Sequence, residues 1–278
     1  MHALQAAPAG EGWSARLRMG FRASAARTVL AQRERHGPLA VQRPFYPEGE
    51  VCHVYLLHPP GGVVGGDRLQ IDTSLSAGSH ALVTTPGATK FYRSAGSVAY
   101  QQQVLQVADG ASLEWLPQEN IFFPGAQVAM HTRVELQGDA RLVLWEMHCL
   151  GRPVIDEAFD EGALDAGLQI WRDGSPLLIE RLRIDADSRL RNSVLAGRPV
   201  CATAVFSHAG DAQLQAVREL VAQADSCHSG VTLIDNLLLL RYVGDSTEQA
   251  RRLFVSAWST LREPLLQRPA MLPRIWNT

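Results

Sequence analysis

The residues with the most distinctive spacing form a glycine-rich loop, HPPGGVVGGD, at positions 58–67. Its glycines are Gly61, Gly62, Gly65 and Gly66. Such loops can offer backbone N–H groups to a phosphate, but a P-loop needs Lys and Ser/Thr after its last glycine. Here Asp67 follows and would repel phosphate, and residues 68–75 then alternate between polar and apolar side chains as a strand does. The pattern predicts a packed β-arch or hairpin, with a tight turn that does no chemistry as the alternative.

Two carboxylates stand in rows of apolar side chains. Because side chains alternate along a strand, residues of one parity share a face, and Glu146 shares its parity with Leu144. Glu180 has the same relation to Leu182. A buried carboxylate is costly unless an arginine, a water molecule or a cation compensates it. Two interpretations therefore stay open: structural ion pairs with arginine, or a polar passage for a cation or water.

Transition metals favour nitrogen and sulfur ligands, so the adjacent cysteine and histidine pairs are natural candidates. These pairs are Cys52-His53, His148-Cys149 and Cys227-His228. Neighbours on a strand point to opposite faces, so neither member of a pair helps the other to chelate an ion. The sequence predicts no permanent metal site and no permanently bound cofactor.

An enzyme of another class is the main competing interpretation. The sequence lacks a G-x-S-x-G elbow, so no pattern identifies a nucleophile. A β-fold carbohydrate hydrolase could instead pair Glu119 with Glu180 or Asp67. Such an enzyme needs its two carboxyl groups about 5 to 10 Å apart in an open cleft. A cation passage needs acids along a narrow interior path, so geometry separates the two hypotheses.

Two further segments offer groups for contact with a partner. TTPGATKFYRS, at residues 84–94, carries Lys90, Tyr92 and Arg93 beside a turn, and it could be a docking surface or a satisfied polar cluster. The proline-rich end carries Arg274 and Trp276. A tryptophan in a proline-stiffened tail is costly to leave loose, so we expect the tail to pack on the body. All five side chains are candidates for docking.

Composition sets the broad class. The chain has 278 residues, of which 46% are hydrophobic and 19% charged, as in ordinary globular proteins. A net charge of −2 gives no general attraction to nucleic acid or to an anionic membrane. Four dispersed cysteines indicate reduced thiols, and no secretory signal or membrane span is evident, so a cytoplasmic protein is expected. Residues 1–12 are predicted to be disordered and residues 13–278 to form a single domain.

Short segments of strand-like residues, separated by turn sequences such as SAGS and ADGA, predict an all-β sandwich, barrel or solenoid. The predicted strands cover residues 13–22, 28–31, 51–57, 68–75, 80–85, 98–107, 111–115, 127–136, 141–148, 168–172 and 177–184.

Helical periodicity is confined to the C-terminal half. Asp211 is a candidate N-cap for a helix that ends near residue 224, and Ser246 with Gln249 forms a capping box for a second helix. Pro264, Pro269 and Pro273 are expected to prevent a helix from continuing through the end of the chain.

Taken together, several strings resemble one family, the urease accessory protein UreD (UreH) family. They occur in the family's order and cover nearly the whole chain: HPPGGVVGGDRL, TTPGATKFYRS, LEWLPQENIFFPGA, LWEMHCLGRP, WRDGSPLLIERLRI and PRIWNT. The resemblance implies a mainly β, right-handed β-helix-like body of stacked sheets with two α-helices in the C-terminal half. It also implies a chaperone that takes part in metallocentre assembly and is not an enzyme.

By the same resemblance, this protein binds apo-urease and UreF, which recruits the GTPase UreG, and nickel in transit passes through an internal channel. The channel positions implied are Asp67, Thr89, Glu146 and Glu180. Carboxylates and a hydroxyl are weak, hard ligands that let a divalent ion move on, whereas a His/Cys cage would trap it. A third hypothesis holds that the chain only bridges UreF and urease.

Overall fold

Strands make up most of the regular structure, as the turn-punctuated segments predict. The computed structural model describes residues 12–224 and 228–277. Residues 1–11 of the segment predicted to be disordered, together with Cys227, lie outside the described residues. The strands are β1 Ser14–Ala23, β2 Thr28–His36, β3 Ala40–Val41, β4 Cys52–Leu57, β5 Arg68–Leu75, β6 His80–Thr84, β7 Thr89–Phe91, β8 Ala99–Val107, β9 Ser112–Leu116, β10 Asn120–Phe122, β11 Gln127–Leu136, β12 Arg141–Arg152, β13 Glu157–Ala158, β14 Ala163–Arg172, β15 Ser175–Asp185, β16 Val200–Ser207, β17 Ser229–Ile234 and β18 Leu237–Gly244. The helices are α1 Asp211–Gln223 and α2 Thr247–Leu266.

Two sheets form the walls of a solenoid. The first sheet has the order β15-β14-β11-β8-β5-β1-β2, and the main path of the second is β17-β18-β16-β12-β9-β6-β4-β3. The chain crosses repeatedly between them, from β4 to β5, β6 to β8, β9 to β11 and β12 to β14, and each new strand lies parallel to the one before it in its sheet. The short strands β7 and β10 pair with each other, and β10 also pairs with the second half of β12. The body is thus a β-solenoid of about four stacked coils, and the predicted fold class is confirmed.

Apolar residues fill two cores, one on each side of the second sheet. The first lies between the sheets and includes Leu17, Leu105 and Val134. The second lies under the helices and includes Trp145 and Trp258. Strands of the second sheet are therefore buried on both faces, so β12, β16 and β18 are largely continuous apolar runs without the alternation that marks β11. For this reason the search for alternation missed β16 and β18.

Both predicted helices are present, with three corrections. The N-cap of α1 is Gly210, whose N–H donates to Gln213 Oε1 at 3.0 Å, and Asp211 is the first helical residue. The capping box of α2 is half formed: Ser246 Oγ accepts from the Gln249 N–H at 3.3 Å, but the Ser246 N–H donates to the Tyr242 hydroxyl, which in turn donates to Gln249 Oε1 at 3.1 Å. The helix ends before Pro269, as predicted, but Pro264 lies inside it: α2 continues to Leu266, because its last turn buries apolar side chains against the body. No helix among the described residues combines the length and apolarity needed to cross a membrane.

The C-terminal tail packs on the body, as predicted. The Trp276 side chain is only 8% exposed, and its ring nitrogen donates to Thr84 Oγ1 at 2.9 Å. Its ring lies against Trp145 and Trp258, with ring centroids 5.6 and 5.8 Å away. A cluster of three tryptophans therefore fixes the end of the chain next to α2.

Candidate functional site: two cavities that share Glu146

The glycine-rich loop joins β4 and β5, which lie in different sheets, so it is a β-arch. Val63 is fully buried at its centre, and its N–H donates to the Lys90 carbonyl at 2.7 Å. The Val63 carbonyl accepts from the Tyr92 N–H at 2.8 Å. The loop is therefore held against the segment around β7, as the sequence predicts for a packed loop.

The four glycines serve two different geometrical needs. Gly61 and Gly66 have backbone φ angles of 79° and 93°, which residues with a Cβ rarely adopt. Gly62 and Gly65 are needed for close approach instead. A Cβ on Gly62 would lie 2.2 Å from the Tyr92 ring, and one on Gly65 would lie 2.2 Å from a side-chain oxygen.

Asp67 holds this loop together. One of its carboxylate oxygens accepts from the Trp13 N–H at 2.8 Å, and the other accepts from the Val64 N–H at 2.9 Å. The side chain is almost fully buried, yet it lines neither of the two cavities described below. The position of Asp67 therefore gives no support to the expectation that it lines a channel.

A first cavity of about 240 Å³ lies beside the loop, between the two sheets. Polar side chains in its wall include Thr89, Asn120, Gln101 and Gln103. At its rim the exposed Lys90 borders the protein surface. Thr89, predicted as a channel residue, thus lines a cavity that reaches from the surface into the body.

Glu146 lines this first cavity and also a second one. Its side chain is 15% exposed, and Thr132 on the opposite sheet donates its hydroxyl to Glu146 Oε1 at 2.5 Å. Burial raises the pKa of Glu146 to about 7, helped by the nearby Glu180 charge and opposed by the Thr132 hydrogen bond. Among the described residues no arginine or lysine forms an ion pair with this carboxylate.

The second cavity, of about 340 Å³, contains the other predicted acid. Arg241 on β18 forms an ion pair with Glu180 on β15, so the pair connects the second sheet to the first. The two side chains are 42% and 30% exposed. In register, Glu146 faces Thr203 on β16, and Thr203 faces Arg241, so the three form one row across the second sheet. The parity argument placed both acids on inward faces correctly.

His148 is a further polar residue in the wall of the second cavity. The side chain is 5% exposed, and its Nδ1 has no hydrogen-bond partner of acceptable geometry among the described residues. Burial lowers the pKa of His148 to about 4, although the Met147 backbone opposes this shift. Burial also raises the pKa of the Cys201 thiol, in the same wall, to about 12. The described residues contain no cluster of three or more His, Cys, Asp or Glu side chains able to hold a metal ion.

Comparison with known proteins identifies the relatives of this solenoid. A family described as "UreD urease accessory protein" matches residues 14–277. The chain belongs to this family. A urease accessory protein UreD of Alcanivorax borkumensis is 50% identical over 274 residues, which cover 96% of this chain and 93% of the relative. That of Klebsiella pneumoniae subsp. pneumoniae is 45% identical over 278 residues, all of both chains, and that of Klebsiella aerogenes is 46% identical over 271 residues, 98% and 99% of the two chains.

The side chains predicted for partner docking differ in how exposed they are and in whether they are already paired within the chain. Lys90 and Arg274 are exposed. Arg93 forms an ion pair with Glu161 at 2.5 Å, but both side chains are more than 60% exposed. The half-exposed Tyr92 donates to the Gly61 carbonyl at 3.4 Å.

Trp276 needs a correction, because its side chain is buried within this chain and presents little surface to a partner. Its contacts are with Thr84 and two other tryptophans of the same chain. Docking by Trp276 would require the tail to leave the body. The packing of the tail on the body accounts for this tryptophan without any partner protein.

Sequence reasoning missed several polar side chains of the two cavities. Gln101 and Gln103 share one face of β8 with Ala99 and Leu105, so the parity rule that found the two glutamates would also have found them. Thr132 stood in an apolar row without being recognised as a partner for Glu146. Arg241 follows a run of four leucines, and nothing local indicates that it reaches across to the other sheet.

Proposed function

We propose that this chain acts in urease maturation as a chaperone without catalytic activity of its own, and that it passes nickel to the urease active site. Its partners would be apo-urease and UreF, with GTP hydrolysis supplied by UreG through UreF. Membership of the UreD urease accessory protein family supports the role in maturation. The nickel path and these particular partners are inferred from the two cavities and from the family resemblance.

The observation that carries the nickel path is the position of Glu146. It lines two cavities at once, and each cavity has an exposed residue in its wall, Lys90 in the first and Arg181 in the second. A cation that moves between the cavities would pass this carboxylate. Because no arginine or lysine of the described residues forms an ion pair with Glu146, an arriving cation can displace its proton and bind the carboxylate.

The chemistry of the lining suits transit better than storage. Thr89 and the two glutamates provide oxygen ligands, which bind a divalent ion weakly and exchange readily. The Cys201 thiol, with its pKa raised to about 12 by burial, stays protonated and is a poor ligand at neutral pH. An ion could therefore bind briefly at Glu146 and move on.

The test compares urease matured with wild-type chain and with Glu146→Gln, under limiting nickel. Glu146→Gln keeps the side-chain shape and the Thr132 contact but removes the charge. We expect normal assembly with apo-urease and UreF, and a lower nickel content and activity of the urease. Glu135→Gln is the matched control, because this glutamate on the first sheet lines neither cavity and is 43% exposed.

The bridging hypothesis has one observation in its favour, the ion pair between Glu180 and Arg241. This pair joins the two sheets and can be explained by structure alone. If Glu146→Gln and Glu180→Gln both assemble normally and deliver as much nickel as Glu135→Gln, the nickel path is wrong and the chain acts as a bridge. A carbohydrate hydrolase is disfavoured, since Glu180 is ion-paired and both Asp67 carboxylate oxygens are held by backbone N–H groups.

A further inference from the structure

A passage lined only by oxygen would discriminate poorly between nickel and the common hard cations. Carboxylates and hydroxyls suit Mg²⁺ and Ca²⁺, whereas imidazole suits nickel and its neighbours in the first transition row. The cavity walls therefore need a nitrogen donor close to the shared carboxylate if the passage is to favour nickel. His148 lies two residues from Glu146 on the same face of β12, and both line the second cavity.

We propose that His148 is a specificity-determining residue, which with Glu146 forms a two-donor station that accepts Ni²⁺ in preference to Mg²⁺ and Ca²⁺. This inference rests on the proposed nickel path and adds to it the source of its selectivity. The geometry supports it in two ways, through the spacing of the donors and through the unsatisfied state of the ring.

The spacing of the two donors suits a bridging ion. His148 Nε2 lies 4.0 Å from Glu146 Oε2, which is too long for a hydrogen bond. Metal bonds to imidazole nitrogen and carboxylate oxygen are each about 2.0–2.2 Å, so two of them can span roughly 4 Å. The gap therefore leaves room for an ion between the two side chains with little movement of either.

The ring is also buried without the partner that a structural histidine normally has. Buried polar atoms are usually hydrogen-bonded, and the exceptions need an explanation. His148 is 95% buried, its Nδ1 lacks an acceptable hydrogen-bond partner among the described residues, and the edge of the Phe122 ring packs near it. A proton on Nδ1 leaves the Nε2 lone pair, on the side that faces Glu146, free for a cation.

The station has few enough ligands to release its ion. With no third His, Cys, Asp or Glu side chain grouped with these two in the described part of the chain, water must complete the coordination shell. Such a site is selective through the nitrogen and weak through the small number of protein ligands. Transit requires both properties.

The experiment measures nickel delivery to apo-urease at fixed, limiting Ni²⁺ while Mg²⁺ is raised, with wild-type chain, His148→Gln and the control His131→Gln. His131 lies on β11 and lines neither cavity. We expect His148→Gln to assemble normally but to become sensitive to Mg²⁺ at a concentration roughly tenfold lower, since loss of a group that orients or binds a metal commonly costs 10–100-fold in affinity. His131→Gln should match the wild type.

The result that overturns this inference is a Mg²⁺ response of His148→Gln equal to that of the wild type while Glu146→Gln lowers delivery. In that case the nickel path stands and His148 does not select. If Glu146→Gln also delivers normally, the proposed path itself fails.

A second measurement on the wild-type chain covers the case in which His148→Gln does not fold. Sub-stoichiometric Ni²⁺ is added to protein labelled with ¹⁵N at histidine, and the imidazole signals are followed by NMR. Selective paramagnetic broadening of the His148 signals supports the station. Broadening confined to other histidines overturns it.

Discussion

Two buried glutamates on neighbouring strands of the second sheet differ in their partners. Glu114 on β9 is fully buried under α2 and bonds to Arg262, with Nη2 2.9 Å and Nε 3.0 Å from its two oxygens. It also bonds to His80 at 2.7 Å and to the Trp258 ring nitrogen at 2.6 Å. Glu146 on β12 accepts a hydrogen bond from the Thr132 hydroxyl and has no arginine partner in the described part of the chain.

The pKa values of the two acids depend more on their partners than on how deeply they are buried. Burial acts to raise the pKa of both carboxylates. At Glu114 the hydrogen bonds and charges of His80 and Arg262 outweigh burial and lower the pKa to about 2. At Glu146 burial prevails and raises the pKa to about 7. An acid matched by cations holds the structure together, whereas an unmatched acid beside a cavity keeps its capacity for a cation that arrives later.

The matched acid belongs to a wider network that fixes α2. Arg262 is itself fully buried and also binds Glu48 at 2.6 Å, and Glu48 in turn binds His53 at 2.6 Å. Arg262 also donates to the Pro269 carbonyl at 2.5 Å, and this bond holds the chain that follows α2. One guanidinium thus connects the helix, the second sheet and the C-terminal tail.

The largest expected effect comes from removing this guanidinium. Arg262→Met leaves Glu48 and Glu114 buried without their main cation, and breaking a buried ion pair in this way costs about 3–5 kcal/mol. We expect the free energy of unfolding, measured by urea denaturation, to fall by that amount. Arg252→Met is the control on the same helix, since Arg252 forms an exposed i,i+4 pair with Glu248 and its loss should change stability by less than about 0.5 kcal/mol. A small loss in Arg262→Met would mean that the network does not hold α2.

The next effect is a difference in pH dependence between the two acids. The pKa of Glu146 is raised from 4.5 to about 7 in the folded state. The folded state therefore binds this proton more tightly than the unfolded state, and the resulting stabilisation is fully present below pH 4.5. That contribution is lost as pH rises through 7, by about 3 kcal/mol. Glu146→Gln should remove this part of the pH profile, so its stability relative to wild type should increase from pH 4.5 to 8.

Glu114→Gln should behave in the opposite way. The folded-state pKa is lowered from 4.5 to about 2, so the stabilisation is present above pH 4.5 and is lost as pH falls toward 2. Glu114→Gln should therefore be less stable than wild type at neutral pH and approach it in acid. Unfolding curves at several pH values test both variants. If stability relative to wild type changed with pH in the same way for both, the two acids would not differ in charge state as described.

Local patterns predicted the body of this protein well. Alternation predicted the strands β5 and β11, and the glycine-rich loop was predicted to be a packed arch or hairpin. The same rule placed Glu146 and Glu180 on inward faces. These successes share a cause: each depends on neighbours in sequence, whose relative directions the backbone determines.

What sequence could not supply was the identity of the partners. Glu114 and Arg262 are 148 residues apart, and Glu180 and Arg241 are 61 apart. Which acid meets a cation depends on the stacking of coils and on where α2 packs, so no local pattern separates Glu114 from Glu146. At Asp67 the channel role implied by the family resemblance stays a prediction, and no local pattern indicated that its carboxylate accepts the N–H groups of Val64 in the loop and of Trp13 before β1.

The smallest effect tests an acid of intermediate character, Glu180. Its partner Arg241 is 42% exposed, so solvent screens the pair and Arg241→Met should cost no more than about 1 kcal/mol in urea denaturation. That is well below the loss expected for Arg262→Met, because Glu180 can be hydrated once its partner is gone. Leu182→Ala, beside Glu180 in the same cavity wall, shows how much loss of packing alone contributes. A loss for Arg241→Met as large as that for Arg262→Met would place Glu180 with the structural acids and leave Glu146 as the one predicted acid of the two cavities that is free to meet a cation.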